Sequence, residues 1–285
     1  MLGIALALTS AASFGVMPVL TKVVYDDGAD PVGVLAVRFA LAAVVLQVLA
    51  RARREPRPPG RTLALLVGLG GIGYVGQALC YFFALERISA GLTALLLYVY
   101  PALVVVLGAV VLRDRPRPLA VGCVAVATLG TALTIGPVAG GQVSGVLLGL
   151  AAALVYAVYI LVSSRVSGVG PFATSAWVLT ASAVVMGVLA AAMGPRLPSS
   201  GAAWLALVGV ALVGTVLAVT TFFAALALLG PSDTAVVSTV EPVVSIAVAG
   251  LVLGERLETL HAGSAAHALL RARRDRAPPP HRRRT

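Results

Sequence analysis

Apolar runs of about 17 to 25 residues, the length a helix needs to cross a bilayer, recur along this chain with short polar gaps between them. Five occupy the first half, near Leu2–Val24, Val32–Ala50, Leu63–Leu85, Leu92–Leu112 and Leu119–Gly136. Four more follow, near Val146–Val162, Phe172–Met193, Trp204–Leu229 and Ala235–Leu253. Strands of a membrane barrel would alternate apolar and polar positions over about ten residues, and these runs do not. Gly and Pro inside the runs are common in membrane helices, where they mark ends, kinks and close packing. The pattern predicts an all-α polytopic membrane protein. Its first run extends past Met17 with no basic segment before it, so it is expected to stay as a span rather than be cleaved.

Composition narrows the picture. Of the 285 residues 59% are hydrophobic and 11% charged, with a mean hydropathy of +1.00, whereas soluble domains carry about a quarter charged residues. Too few polar side chains remain to coat a soluble core, so lipid is the expected solvent. The net charge of +10 does not imply nucleic acid, because the arginines sit in the gaps and the tail rather than on an amphipathic face. With the N-terminus inside, the even gaps hold Arg51, Arg53, Arg54, Arg57, Arg61, Arg113, Arg115, Arg117 and Arg165. The odd gaps hold only Lys22, Arg87, Arg196 and Arg256. That bias favours a cytoplasmic N-terminus, more clearly in the first half than in the second. Cys80 and Cys123 lie far apart in apolar runs and read as small packing residues rather than a disulfide or a metal site.

An internal repeat organises the chain. The segment "FFALERISAGLTALLLYVYPALVVVLGAVVLRDRPRPL" from Phe82 lies on "FFAALALLGPSDTAVVSTVEPVVSIAVAGLVLGERLETL" from Phe222, with one extra residue in the second copy. This pairs Pro101 with Pro242, Asp114-Arg115 with Glu255-Arg256, and Leu119 with Leu260. The first span and "GVLLGLAAALVYAVYILVSS" from Gly145 match more loosely, as do Pro31 and Pro171. Two tandem units of five spans must insert with opposite orientation, the inverted-repeat plan of many secondary transporters.

With these residues in view, the chain resembles the EamA-type transporters of the drug/metabolite transporter superfamily. The marks are "SFGVMPVLTK" closing the first span, "DPVGVLAVRF" opening the second, and the long segments ending "YPALVVVLGAVVLRDR" and "EPVVSIAVAGLVLGER". The resemblance implies ten helices in two inverted five-helix bundles around a central substrate cavity. It implies a multi-pass protein of the cell inner membrane that exports or exchanges amino acids or other small metabolites, without a cofactor or metal. Residues 1–140 are expected to form the first repeat and 141–263 the second, the latter with four spans and the start of a fifth. Expected partners are a small-molecule substrate and the lipid bilayer, with a homodimer as one assembly to test, and no nucleic acid.

Few polar groups lie deep in the spans. Arg38 sits about six residues into the second, where an unpaired charge costs several kcal/mol. It can snorkel to the interface, or act as a cavity cation for a carboxylate; the resemblance places an Arg at this point of the family pattern. Glu241 precedes Pro242 in the ninth span, beside Ser238 and Thr239. It is a candidate proton carrier, or a carboxyl with a purely structural hydrogen bond. Pro242 frees carbonyls near Ser238 to face a cavity. Tyr74, Gln77 and Tyr81 share one helical face, which suits a cavity wall and interhelical hydrogen bonding equally. Tyr98, Thr220 and Thr221 lie at corresponding depth, and Tyr100 is the repeat mate of Glu241. Lys22 and Asp233, at span ends, read as interfacial. Gly68, Gly70 and Gly73 satisfy a dinucleotide pattern, as do Gly71, Gly73 and Gly76, but inside an apolar span they serve helix packing instead.

Other classes fit less well. An intramembrane enzyme lacks its parts, because His261, His267 and His281 all lie near the C-terminus and no paired intramembrane carboxylates appear. A structural or accessory membrane protein, or an inactive truncated transporter, is the remaining alternative. The repeat demands a tenth span after Leu260, yet Gly130 aligns with Arg271 and residues 264–285 read as an Arg/Pro-rich tail. Nine spans would leave that basic tail outside, against the positive-inside rule. A shifted reading frame is the expected origin; a genuine basic tail or a short interfacial helix are the alternatives.

Overall fold

Most of these apolar runs are helices in the computed structural model of the chain, which describes residues 1–85, 87–88, 93, 96–112, 122, 143–241, 244–245 and 247–248. All of the fifth span except Gly122, the later part of the ninth, the expected start of a tenth and the basic tail lie outside the described residues. Helix α1 spans Leu2–Asp26 and α2 spans Pro31–Ala52. The third run comprises α3 (Gly60–Gly68), a π-helical segment π1 (Leu69–Tyr74) and α4 (Val75–Leu85). Next come α5 (Tyr100–Leu107) and π2 (Gly108–Leu112). The second half holds α6 (Val143–Ser163), α7 (Pro171–Met193), α8 (Gly201–Ala211), π3 (Leu212–Leu217) and α9 (Ala218–Ser238). No strand occurs among the described residues.

Among the described residues six stretches are long and apolar enough to cross a membrane. Their outer faces match: Ile72 is 79% exposed and Leu205 74%, which lipid tolerates and water does not. The chain is a multi-pass membrane protein.

Local chemistry sets the helix boundaries. The Asp30 carboxylate accepts from the Gly33 backbone N–H at 2.8 Å and Pro31 takes the first helical position, so α2 begins with a side-chain cap and a preset φ. Ser200 caps α8 through the Ala203 N–H at 3.2 Å. The sequence leads one to expect a polar gap between Leu229 and Ala235, but the helix resumes at once. Gly230 alone makes the turn, at φ 77° and ψ 175°, with Pro231 restarting the helix. A side chain would resist that conformation, and glycine does not.

Helix α2 packs along α7, α1 lies against α8, π3 and α9, and α6 lies against π1, α4 and α5. One continuous core joins them, including Phe39, Leu46, Tyr100, Tyr159, Leu179 and Phe222. At one membrane face the Asp27 carboxylate accepts from the backbone N–H groups of Ser199 and Ser200, and Asp30 from that of Arg196. At the other face Glu55 accepts from the Ala173 N–H at 2.6 Å, capping α7 from another segment. The amides of Ser200 and Ser199 hold the Asp27 carboxyl down to about 2. Its contribution is therefore complete above the ordinary carboxylate range and is lost only as pH falls through about 2.

Segment π1 approaches α7 closely. A side-chain carbon at Gly70 would overlap the Val178 carbonyl of α7. Ser182 Oγ donates there to the carbonyls of Gly70 (2.9 Å) and Val178 (3.0 Å). We expect Gly70→Ala to lower stability by about 1–3 kcal/mol through overpacking. Gly68→Ala, with nothing within 4 Å of the added carbon, should be neutral or slightly stabilising because alanine favours helix. Thermal unfolding of the purified variants in detergent checks the opposite signs.

Candidate functional site

Arg38 lies on α2 with 4% of its surface exposed. Its side chain runs into the bundle, not toward an interface. Nε donates to Thr215 Oγ1 at 2.6 Å and Nη2 to the Tyr74 hydroxyl at 2.9 Å, while the guanidinium sits 5.1 Å from the Phe39 ring centroid. Both hydroxyl partners come from π-helical segments, Tyr74 from π1 and Thr215 from π3. Thr215 Oγ1 itself donates to the Val210 carbonyl, five residues back, at 3.0 Å. Its proton is thereby occupied, and a lone pair is left for the arginine. Among the described residues no carboxylate pairs with Arg38, and Nη1 has no partner. A buried cation held only by neutral groups can take an anion.

From Arg38 a line of aromatic rings crosses the bundle. Phe39 meets Tyr74 at 5.3 Å between centroids, Tyr74 meets Tyr159 at 5.7 Å, and Tyr159 meets Tyr156 at 6.0 Å. Tyr156 then packs edge-on against Tyr100 at 4.6 Å. Phe222 and Phe223 of α9 flank this row. Such spacings favour stacked and edge-to-face contacts with one another and with any flat apolar group inserted between them.

Glu241 stands at the far end of the row. Tyr98 is within hydrogen-bond reach of its carboxyl. Gly15 of α1 makes room for this stretch, since a side-chain carbon there would lie 2.9 Å from the Glu241 carbonyl. Ser238, buried one turn earlier, donates to the Thr234 carbonyl at 2.9 Å and lies within reach of the Tyr100 hydroxyl. Pro242 lies outside the described residues.

The structure thus brings Arg38, Tyr74, Tyr81, Tyr98, Ser238 and Glu241 to one region. Gln77, half-buried, has no hydrogen-bond partner among the described residues. Thr221 donates to the Leu217 carbonyl of its own helix at 2.7 Å, and Thr220 is buried with an unpartnered hydroxyl among the described residues. Sequence reasoning missed Thr215, Tyr156 and Tyr159. The Tyr156–Tyr159 pair, spaced i, i+3 in an otherwise aliphatic span, is a signal that could have found two of them.

Two cavities open toward the ends of the bundle. One of about 190 Å³ is lined by Asp30, Leu79, Phe82 and Pro195; the other, of about 160 Å³, by Gln47, Arg51, Arg57 and Trp177 among others. Neither reaches Arg38 or Glu241. No cluster of His, Cys, Asp or Glu among the described residues could hold a metal. A cation at one end, a carboxyl at the other and a tyrosine-rich wall between them suit recognition of a small amphipathic ion.

Known proteins resemble the chain in sequence and in fold. The model of the EamA-like transporter family matches residues 1–136 and 143–270. The chain is 29% identical over 211 residues to an aromatic amino acid exporter, YddG, of Ancylobacter novellus, covering 71% of this chain and 68% of that protein. A solved crystal structure superposes with a TM-score of 0.76 at 23% identity, covering 96% of this chain and 99% of the other. That last likeness is one of fold.

Proposed function

The chain belongs to the EamA-like transporter family, and on that premise we propose that it exports small amphipathic metabolites bearing a carboxylate, aromatic amino acids foremost. The observation that carries this reading is Arg38, buried among neutral partners with no carboxylate of its own. A substrate carboxylate completes that arrangement, while the row from Phe39 to Tyr100 packs against the substrate's apolar part. The similarity to an aromatic amino acid exporter supports the substrate class.

Alternating access is the proposed mechanism, with residues 1–140 and 141–263 as inverted repeats rocking about this site in the cytoplasmic membrane. Several features support the repeat. Segments π1 and π3 interrupt the third and eighth spans. The turns before α2 and α7 carry positive-φ glycines, Gly28 and Gly168, and each helix opens on proline. Helix α2 packs on its repeat mate α7, and the pairing of α1 with the eighth span is mirrored by that of α6 with the third.

The test is efflux of radiolabelled phenylalanine, tyrosine and tryptophan from proteoliposomes. Export above that of protein-free vesicles, competed by unlabelled aromatic amino acids, is expected. Flux no greater than in empty vesicles for these and for a wider panel of amino acids would leave a structural or inactive membrane protein.

A further inference from the structure

Between the end of α2 and the start of α7 the chain builds a second charged site, remote from Arg38. The loop and helix end from Arg51 to Arg61 carry Arg51, Arg53, Arg54, Arg57 and Arg61 against a single carboxylate, Glu55. That carboxylate is turned inward onto the Ala173 N–H at 2.6 Å. Arg53 lies over the Phe172 ring at 4.8 Å. Arg51 and Arg57 have no ion-pair partner among the described residues and line the cavity of about 160 Å³ together with Glu55, whose carboxylate is engaged by the Ala173 N–H, and with Gln47 and the Trp177 ring on its wall. Two exposed guanidiniums facing one pocket, unpaired among the described residues, can take an anion, and their forked donors match phosphate oxygens.

The surroundings of the pocket select the source of that phosphate. Val44, Val48 and Arg51 lie at i, i+4 and i+7 on α2, with Val44 62% and Val48 58% exposed. On α7 the same spacing logic aligns Trp177, Val184 and Val188, the two valines 62% and 66% exposed. Both stripes run from the pocket toward the middle of the membrane, one on each helix of a packed pair. A free anion has no use for them, whereas acyl chains do. We propose that this pocket binds an anionic phospholipid of the leaflet that the arginine bias assigns to the cytoplasm, its phosphodiester on Arg51 and Arg57 and its chains along these stripes.

The proposal does not depend on the transport reading and is tested by binding alone. The chain has two tryptophans, so Trp204→Phe, at a partly exposed position on α8, leaves Trp177 as the sole reporter. The variant is placed in phosphatidylcholine nanodiscs containing a minor fraction of brominated lipid. Brominated phosphatidylglycerol should quench Trp177 at a mole fraction about fivefold lower than brominated phosphatidylcholine does. Adding Arg51→Gln and Arg57→Gln should abolish that difference while leaving quenching by brominated phosphatidylcholine unchanged, which also shows that the fold persists. Equal quenching by the two lipids before the arginines are changed would overturn the proposal. So would loss of the preference on adding millimolar inorganic phosphate, which would make this a site for a soluble anion.

Discussion

Arg38→Ala should slow export by roughly 10- to 100-fold, the loss expected when one charge-assisted contact worth about 1.5–3 kcal/mol disappears. Insertion should survive. Arg38 makes two hydrogen bonds to neutral hydroxyls and no ion pair among the described residues, so its charge is an electrostatic cost to the resting protein. A purely structural arginine would lower the unfolding temperature when removed. An arginine kept for an incoming carboxylate should leave that temperature unchanged or raise it, because stability and activity trade against each other at such positions. Arg38→Lys keeps the charge but loses the planar fork that reaches both Tyr74 and Thr215, and should fall between. Initial efflux rates and thermal unfolding, measured on the same preparations, check both halves. Unchanged efflux in Arg38→Ala would remove the residue from substrate recognition.

The second large effect is expected at Glu241. Glutamine there keeps the size and the contact with Tyr98 but cannot exchange a proton. If export is proton-coupled through this carboxyl, Glu241→Gln should lose the stimulation of efflux by an imposed pH gradient while still binding substrate. The Tyr98 hydroxyl is within hydrogen-bond reach of this carboxyl, and the aromatic row from Phe39 to Tyr100 lies between it and Arg38. Efflux from proteoliposomes with and without the gradient, beside equilibrium binding, separates coupling from recognition. Flux in Glu241→Gln that still follows the gradient would exclude this carboxyl as the coupling site.

Much of the helical layout could be read from apolarity alone, because the length of a run is a direct response to bilayer thickness. The runs placed at Leu2–Val24, Val32–Ala50 and Phe172–Met193 end within two residues of α1, α2 and α7. Helix rotation was not legible. Lipid and neighbouring helices are equally apolar, so nothing in the aliphatic pattern shows which face of α6 turns inward with Tyr156 and Tyr159. The π-helical segments were hidden for a related reason: an added residue in a turn changes no side chain. Thr215 therefore looked like any span threonine until π3 aimed it at Arg38. Arg38, Glu241 and the Tyr74 stripe stood out because charge and hydroxyls are rare in lipid. The gap between the eighth and ninth spans was misjudged because its residues look like a loop, whereas Gly230 alone supplies the turn.

The carboxylates of Asp27, Asp30 and Glu55 fasten the two halves to each other through main-chain amides rather than through lysine or arginine. The fastenings at positions 173 and 196 are indifferent to which side chain stands there, so those two positions can drift through evolution without loosening them, whereas the Ser199 hydroxyl adds its own bond to Asp27 and Ser200 also caps α8. Only proline, which has no amide hydrogen, would cut them. The partner groups carry no net charge, so these tethers should also weaken less with salt than exposed ion pairs do. A transporter held this way can let its loop residues answer to the medium outside while the joints between its halves stay the same.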